Sequence, residues 1–402
     1  MKKTHMLIAT FAMVLLAGCS KNSDVYIETE PDPDAPVEIT FGAKQAELKT
    51  DVKTRGIGGI GGLDAENGWN GETLYIYALC NNPLVTDIPT NEKATAPAAA
   101  TPSTVTDAIT WADADKHFYY DGSSIYTFYG YHIDDATTDG ASPVPTGDAT
   151  IGYSVPFKID GTQDLMVAAT DRTKDIEDSS SPKKGELTGR EDNLYSAWSA
   201  RRDVTPNLVF KHLLSRLKFT VIKGNADAKN DGVAITKIEV YSASEGTLVV
   251  VPSADGATPQ GLKDVTLLPD DLTTATALVL KQKPTTGNDK NLIDLEKVTA
   301  TDTDQAVGES MLVIPADSYQ IIIHTSQTIG GTAQTAVIPW KITPPTGATP
   351  ATFGAGKIYT IAIKVYGLEE INVNATLTAW ENGGSITVDP DDEPNPTPAP
   401  QP

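Results

Sequence analysis

The chain has 402 residues, 21% of them charged and 40% hydrophobic, with a formal net charge of -22 at pH 7. At roughly 150 residues per domain that is material for two or three cores, and the acidic excess excludes the basic face that nucleic-acid binding needs. Cys19 and Cys80 are the only cysteines and the five histidines are scattered, which excludes a disulfide framework and a cysteine-built zinc site.

The first residues read as an address. Lys2 and Lys3 precede an apolar run from Met6 to Ala17, too short to span a bilayer and typical of an export signal. Leu16-Ala17-Gly18-Cys19 looks like a bacterial lipobox. That resemblance implies cleavage of residues 1–18 and a diacylglycerol on the Cys19 thiol, leaving 402 − 18 = 384 residues. The plainer reading is a secretory signal that happens to contain a cysteine. Acyl chains would then anchor the protein to the outer membrane. Residues 19–36, with Glu30-Pro31-Asp32-Pro33-Asp34, read as an acidic tether.

From Val37 onward the periodicity is mostly two. Val37, Ile39, Phe41 and Ala43 fall on one face of a first strand. Gly56-Ile57-Gly58-Gly59-Ile60-Gly61 then fits G-x-G-x-x-G by letter, but no apolar strand precedes it and no helix pattern follows. It reads as a permissive loop open to proteolysis, not a dinucleotide site. Strand candidates follow at 73–80, which carries Cys80 as a small apolar residue, and at 125–132 and 164–169. The tyrosine-rich stretches 117–120 and 125–131 suggest a core hairpin or, alternatively, a sugar-binding platform. Residues 172–206 are polar with little strand pattern, and a domain boundary is expected near their end.

The second half repeats the strand signal. In 215–221, Leu217, Phe219 and Val221 share one face and Arg216, Lys218 and Thr220 the other. Further candidates are 234–241, 247–251, 276–281, 310–315, 320–325, 336–342, 357–365 and 371–380, separated by Gly, Pro, Asp, Asn and Thr clusters. Ile371, Val373, Ala375, Leu377 and Ala379 make the apolar face of the last strand. No amphipathic helix exceeds three turns. The expected fold is all-β, two stacked β-sandwich domains over 37–205 and 206–388. The Pro-rich stretch 389–402 is expected to form a disordered tail. The acid pairs Asp113/Asp115, Asp134/Asp135 and Asp391/Asp392 lack the ligand spacing of a calcium loop and read as solvated turns. No cofactor and no enzymatic constellation is expected.

Several segments resemble the fimbrillin family, the lipoprotein pilins of Bacteroidetes. They are the lipobox leader; Asp164-Leu165-Met166-Val167-Ala168; Phe210-Lys211-His212 running into Ser215-Arg216-Leu217-Lys218-Phe219; Met311-Leu312-Val313-Ile314-Pro315; and Ala379-Trp380-Glu381-Asn382-Gly383-Gly384. The resemblance implies transthyretin-like sandwiches and a packing or strand-capping role for His212. It also implies a cell-surface fimbrium built from copies of this chain or related pilins. An Arg-specific protease would cut between Arg55 and Gly56, leaving 402 − 55 = 347 residues; Lys53 is a nearby alternative, and the plainer reading of the stretch is an ordinary interdomain or hairpin loop. The strand carrying Val37, Ile39 and Phe41 would leave, and another subunit's Ile371, Val373, Ala375, Leu377 and Ala379 would replace it. The competing class is a monomeric surface lipoprotein that binds glycan or another ligand.

Overall fold

The computed structural model describes residues 36–45, 72–96, 107–112, 116–120, 123–134, 136, 142–177, 184–226, 229, 231–266, 275–283, 292–345 and 351–379. The leader, the tether as far as residue 35, the Gly-rich loop and the tail lie outside these residues.

The first half runs β1 (Val37–Glu38), β2 (Phe41–Gln45), β3 (Thr73–Cys80), β4 (Thr90–Thr95), β5 (Asp107–Trp111), β6 (Phe118–Tyr119), β7 (Tyr126–His132), β8 (Thr146–Asp148), β9 (Gly152–Lys158) and β10 (Met166–Ala169). Three short helices follow, α1 (Arg172–Glu177), α2 (Lys184–Leu187) and α3 (Ala197–Ala200), with a 3-10 turn at Glu191–Asn193. The second half runs β11 (Asn207–His212), β12 (Ser215–Lys223), β13 (Ala234–Tyr241), β14 (Glu245–Val251), β15 (Gly261–Lys263), β16 (Leu278–Val279), β17 (Lys281–Gln282), β18 (Ile293–Asp294) and β19 (Val298–Thr299). It ends with β20 (Gln305–Val313), β21 (Tyr319–Ile329), β22 (Thr332–Ile342), β23 (Lys357–Val365) and β24 (Ile371–Ala379).

The all-β expectation holds. Seven strands close a barrel in the order β10-β11-β2-β5-β4-β3-β7, which leaves no open edge. Its interior collects Ile39, Phe41, Leu74, Ile76, Phe128 and Phe210. Gly130 on β7 faces that interior, and a Cβ there would come within 2.8 Å of the Phe210 ring. A side chain is excluded so that the ring can fill the barrel. In the second half β20-β12-β23-β24 and β16-β13-β21-β22 contribute their apolar faces to one core, including Leu217, Phe219, Val221, Ile321, Ile323, Ile361 and Ile363. That is a sandwich, built on the period-two alternation seen in the sequence.

Two features depart from the expected layout. β11 lies beyond the boundary expected at 205/206, yet it pairs with β10 and β2 and completes the barrel. The described residues of the polar stretch 172–206 also belong to the barrel. Ile176, Leu187 and Ala197 of its short helices, and Leu194, Tyr195 and Val204 of the segments beside them, are buried in the barrel core. A buried carboxylate organises it: Asp175 accepts from Tyr195 Oη at 2.6 Å, Asn207 N at 3.0 Å and Asn207 Nδ2 at 2.7 Å. The halves also share a sheet, β15-β14-β9-β8, with Leu248 opposite Val155 and Gly246 opposite Phe157. A third core packs across the joint, with Tyr131, Phe157, Leu165, Leu214, Leu248, Leu312 and Ile358.

Candidate assembly site

The N-terminal segment is inserted rather than appended. Val37 and Glu38 pair with Tyr119 and Phe118, and Ile39 N donates to His117 O at 2.7 Å. β2 then lies between two strands that would otherwise be edges. It runs parallel to β11, with Gly42 opposite Asn207 and Gln45 opposite Phe210, and antiparallel to β5, with Phe41 opposite Ile109. Ile39 is 0% exposed and Phe41 2%, while Val37 is half-buried against the same core. The Phe41 ring meets Trp111 edge-on at 5.5 Å and Phe128 at 4.8 Å. The Trp111 indole Nε1–H donates to Ile39 O at 3.1 Å. Below it Tyr119 is wholly enclosed; burial first, then Tyr126 and Asp175, hold its hydroxyl protonated well above the ordinary tyrosine range.

Withdrawing this segment would unpair β11 and β5 together and open the barrel. It would also strip the Trp111 N–H of its acceptor and expose the seats of Ile39 and Phe41. Such a groove has unpaired backbone on both walls and an apolar floor, the two requirements for accepting another strand.

The second predicted strand sits elsewhere. β24 pairs with β23 along its whole length, from Ile371 opposite Val365 to Ala379 opposite Lys357. Ile371 and Val373 are buried in the sandwich core, with Ala375 and Leu377 packed at its margin. β24 is an edge strand of its sheet. The structure therefore places Val37, Ile39 and Phe41 in one core and Ile371, Val373, Ala375 and Leu377 in another, and does not bring them together. Cys19, Arg55 and Gly56 lie outside the described residues.

The motifs that drew attention in the sequence meet at the joint. His212 Nδ1 lies 2.7 Å from Asp164 Oδ2, a carboxylate 0% exposed. Met166 of β10 lies opposite His212 of β11. Leu213 N donates to Leu165 O at 2.9 Å and Leu312 N to Gly161 O at 2.8 Å. Ser215 Oγ donates to Phe353 O at 3.1 Å or Gly354 O at 2.9 Å. Asp164, His212 and Ser215 have the residue types of a nucleophilic set, but the Ser215 hydroxyl is turned into the sandwich and bonded to backbone carbonyls. The His212–Asp164 contact spans 48 residues, so no local spacing could have signalled it.

Other tempting groups do not assemble. The tyrosine-rich stretches do not pair as a hairpin: Phe118–Tyr119 pairs with β1, and Tyr126–His132 with β3 and β10. Tyr119, Tyr126, Phe128 and Tyr131 are buried and only Tyr120 at the end of the first stretch is exposed, so most of these rings are core. No group of three or more potential metal ligands occurs among the described residues. Asp113, Asp115, Asp135, Asp391 and Asp392 fall outside them. A cavity of about 470 Å³ is lined by Lys158, Asp160, Ser244, Glu245, Thr266 and Leu278. It has no aromatic wall, and the Lys158–Glu245 ion pair at 2.6 Å belongs to its lining. No helix among the described residues is long and apolar enough to cross a membrane.

Residues 65–380 match the model of the family described as Fimbrillin-like. The chain belongs to the fimbrillin-like family. Membership makes the fimbrillin-like chain a fimbrial structural component at the cell surface. The solved structures it resembles include a candidate cell adhesion protein of Bacteroides uniformis, at 17% identity over 87% of this chain and 100% of that one, with a TM-score of 0.46. A fimbrial protein of Bacteroides vulgatus is 14% identical over 76% and 92% of the two chains, with a TM-score of 0.41. The fimbrial anchor protein Mfa2 of Porphyromonas gingivalis is 11% identical over 86% and 99%, with a TM-score of 0.31. No curated protein matches this chain.

Proposed function

We propose that this protein is a fimbrial subunit exported as a lipoprotein on Cys19, matured by cleavage after Arg55, and polymerised by β-strand exchange. The observation that carries the reading is the insertion of β2 between β11 and β5 with Ile39 and Phe41 buried. The inserted strand is joined to the rest of the chain by residues 46–71, the stretch that contains Arg55 and the Gly-rich run. An Arg-specific protease needs a basic residue it can reach, and the sequence Arg55-Gly56-Ile57-Gly58-Gly59 sets an arginine before a glycine-rich run. After the cut, nothing covalent holds Val37, Ile39 and Phe41 in the barrel.

The donor in this scheme is Ile371–Ala379 of another copy or a related pilin. Its apolar face matches the groove's need for residues at every second position. Donation requires β24 to leave β23, so the gain in the acceptor groove has to exceed the loss of the β23 ladder and of the Ile371 and Val373 burial. Coupling the two through one proteolytic cut makes assembly conditional on processing.

The test is Arg55→Ala. The expected product is a stable, unpolymerised precursor, while the wild type, treated with an Arg-specific protease, forms filaments visible by electron microscopy. Deleting residues 371–388 should give a processed subunit that cannot extend a filament. Arg55→Ala protein that polymerised with residues 37–48 still attached would sink the strand-exchange mechanism.

A further inference from the structure

β21 and β22 form the longest hairpin of the molecule, 11 residues on each strand. Ile329 lies opposite Thr332 across the two-residue turn Gly330-Gly331. Both glycines have positive φ, 57° and 82°, the turn geometry that matches strand twist in tight hairpins. The hairpin tip stands clear of the sandwich: Ile329 is 56% exposed, and Thr332 to Thr335 are exposed on both faces. From Thr325 to Trp340 there is no charged residue, in a chain of net charge -22.

Among the described residues β22 pairs with β21 alone, so its other edge is free. Which of its backbone groups point outward follows from the ladder. Leu280 N donates to Ile238 O on the far side of β13. Glu239, the next residue, therefore turns its backbone towards β21, where it opposes Ile322. Ile322 in turn opposes Pro339. Alternation in antiparallel ladders then points the backbone of residues 333, 335, 337, 339 and 341 to the free edge. Pro339 falls on one of the outward positions, where its missing N–H costs β22 nothing and blocks further pairing. Lys341 guards the next. Ala333, Thr335 and Val337 are left bare, and Val337 is 60% exposed.

We infer that the free edge of β22 over Ala333–Val337 is a self-association surface, joined antiparallel to the same edge of a second copy of this chain. The register is self-complementary. With Thr335 opposite Thr335 on a two-fold axis, Ala333 of each copy faces Val337 of the other, and every outward N–H meets an outward C=O. Pro339 ends the ladder on both sides, so the contact closes as a dimer and does not run on. Charge selects the place. Two copies that repel over most of their surface can approach where neither carries charge, and the projecting tip keeps the two bodies apart. This surface uses neither β2 nor β24, so its failure and that of the strand-exchange reading are separable.

The experiment is sedimentation equilibrium of the full chain in density-matched mild detergent, with Arg55→Ala included to prevent processing. The expected result is a concentration-dependent doubling of mass, with slowed amide exchange at 333, 335 and 337 in the dimer. Thr335→Pro removes an N–H that the hairpin does not use, and should weaken self-association about tenfold or more with an unchanged circular dichroism spectrum. Should that variant misfold, Thr335→Lys and Thr335→Glu serve instead. Each alone sets like charges opposite each other and should stay monomeric, while their mixture should pair. A wild-type chain monomeric at every attainable concentration overturns the inference. So does a dimer that both charge variants form as well as the wild type, or protection of 333–337 that appears only with a different pilin.

Discussion

Phe41→Ala separates the role of β2 in the precursor from its role in the assembled form. Phe41 is 2% exposed and sits edge-on to Trp111 and Phe128. Truncating a phenylalanine in such a seat costs about 3–5 kcal/mol, because the cavity between two fixed rings cannot collapse. In a cooperative unit of 150–250 residues, each kcal/mol moves the midpoint by roughly 2–4 °C, so the precursor should melt about 6–20 °C lower. Trp111 is the natural reporter, since its ring touches Phe41 and its Nε1–H is bonded to Ile39 O. The measurement is thermal and denaturant unfolding of the Arg55→Ala precursor with and without Phe41→Ala, followed by tryptophan emission. The same substitution should leave the stability of processed, assembled subunits unchanged, because the residue is no longer there. An unaffected precursor would show that Phe41 is not seated as described. Equal destabilisation of the processed form would show that β2 is retained, and the maturation scheme would be wrong.

Asp175→Asn should destabilise the barrel by about 1–3 kcal/mol, since the amide oxygen can still accept from Tyr195 Oη and Asn207 N but the new NH2 is turned towards the Asn207 Nδ2 donor; urea unfolding checks it. Gly130→Ala should lower stability or expression, because the new Cβ meets the Phe210 ring at 2.8 Å, and the paired Gly130→Ala, Phe210→Leu variant should recover part of the loss. Burial acts to raise the Glu239 carboxyl, but hydrogen bonds and charge from Lys237 and His324 outweigh it and hold it below its ordinary value of 4.5. A depressed folded value means the pair stabilises above pH 4.5 and the contribution is lost as pH falls through the lower folded value. Glu239→Gln should therefore flatten the acid limb of a stability–pH curve and leave neutral pH less stable. Cys19→Ser should abolish acyl labelling and membrane fractionation of the precursor; labelled protein from that variant would exclude the lipobox reading.

Much of the fold was legible because period two survives wherever a strand has one wet and one dry face. Ala234–Tyr241 and Lys357–Val365 have the bounds that the alternation predicts, and Thr73–Cys80, buried on both faces over Leu74–Ala78, has those of its apolar run. Where the alternation fails, so does the reading. Thr90–Thr95 has no apolar period, Gly152–Lys158 carries Pro156, and the short helices of 172–206 bury one or two side chains each, too few to leave a pattern. The family motifs were visible as strings, and their local chemistry followed from residue type. What they do is long-range: Asp164 reaches His212 only because β10 and β11 are neighbours, and Ser215 meets Phe353 and Gly354 only because the sandwich closes there. The apolar faces of β2 and β24 are sequence properties, fixed by which residues alternate. That the first is enclosed between β11 and β5, the second left at an edge, and β22 bare beyond Pro339 is decided by strand order, since backbone hydrogen bonds are satisfied by neighbours in space and not in sequence.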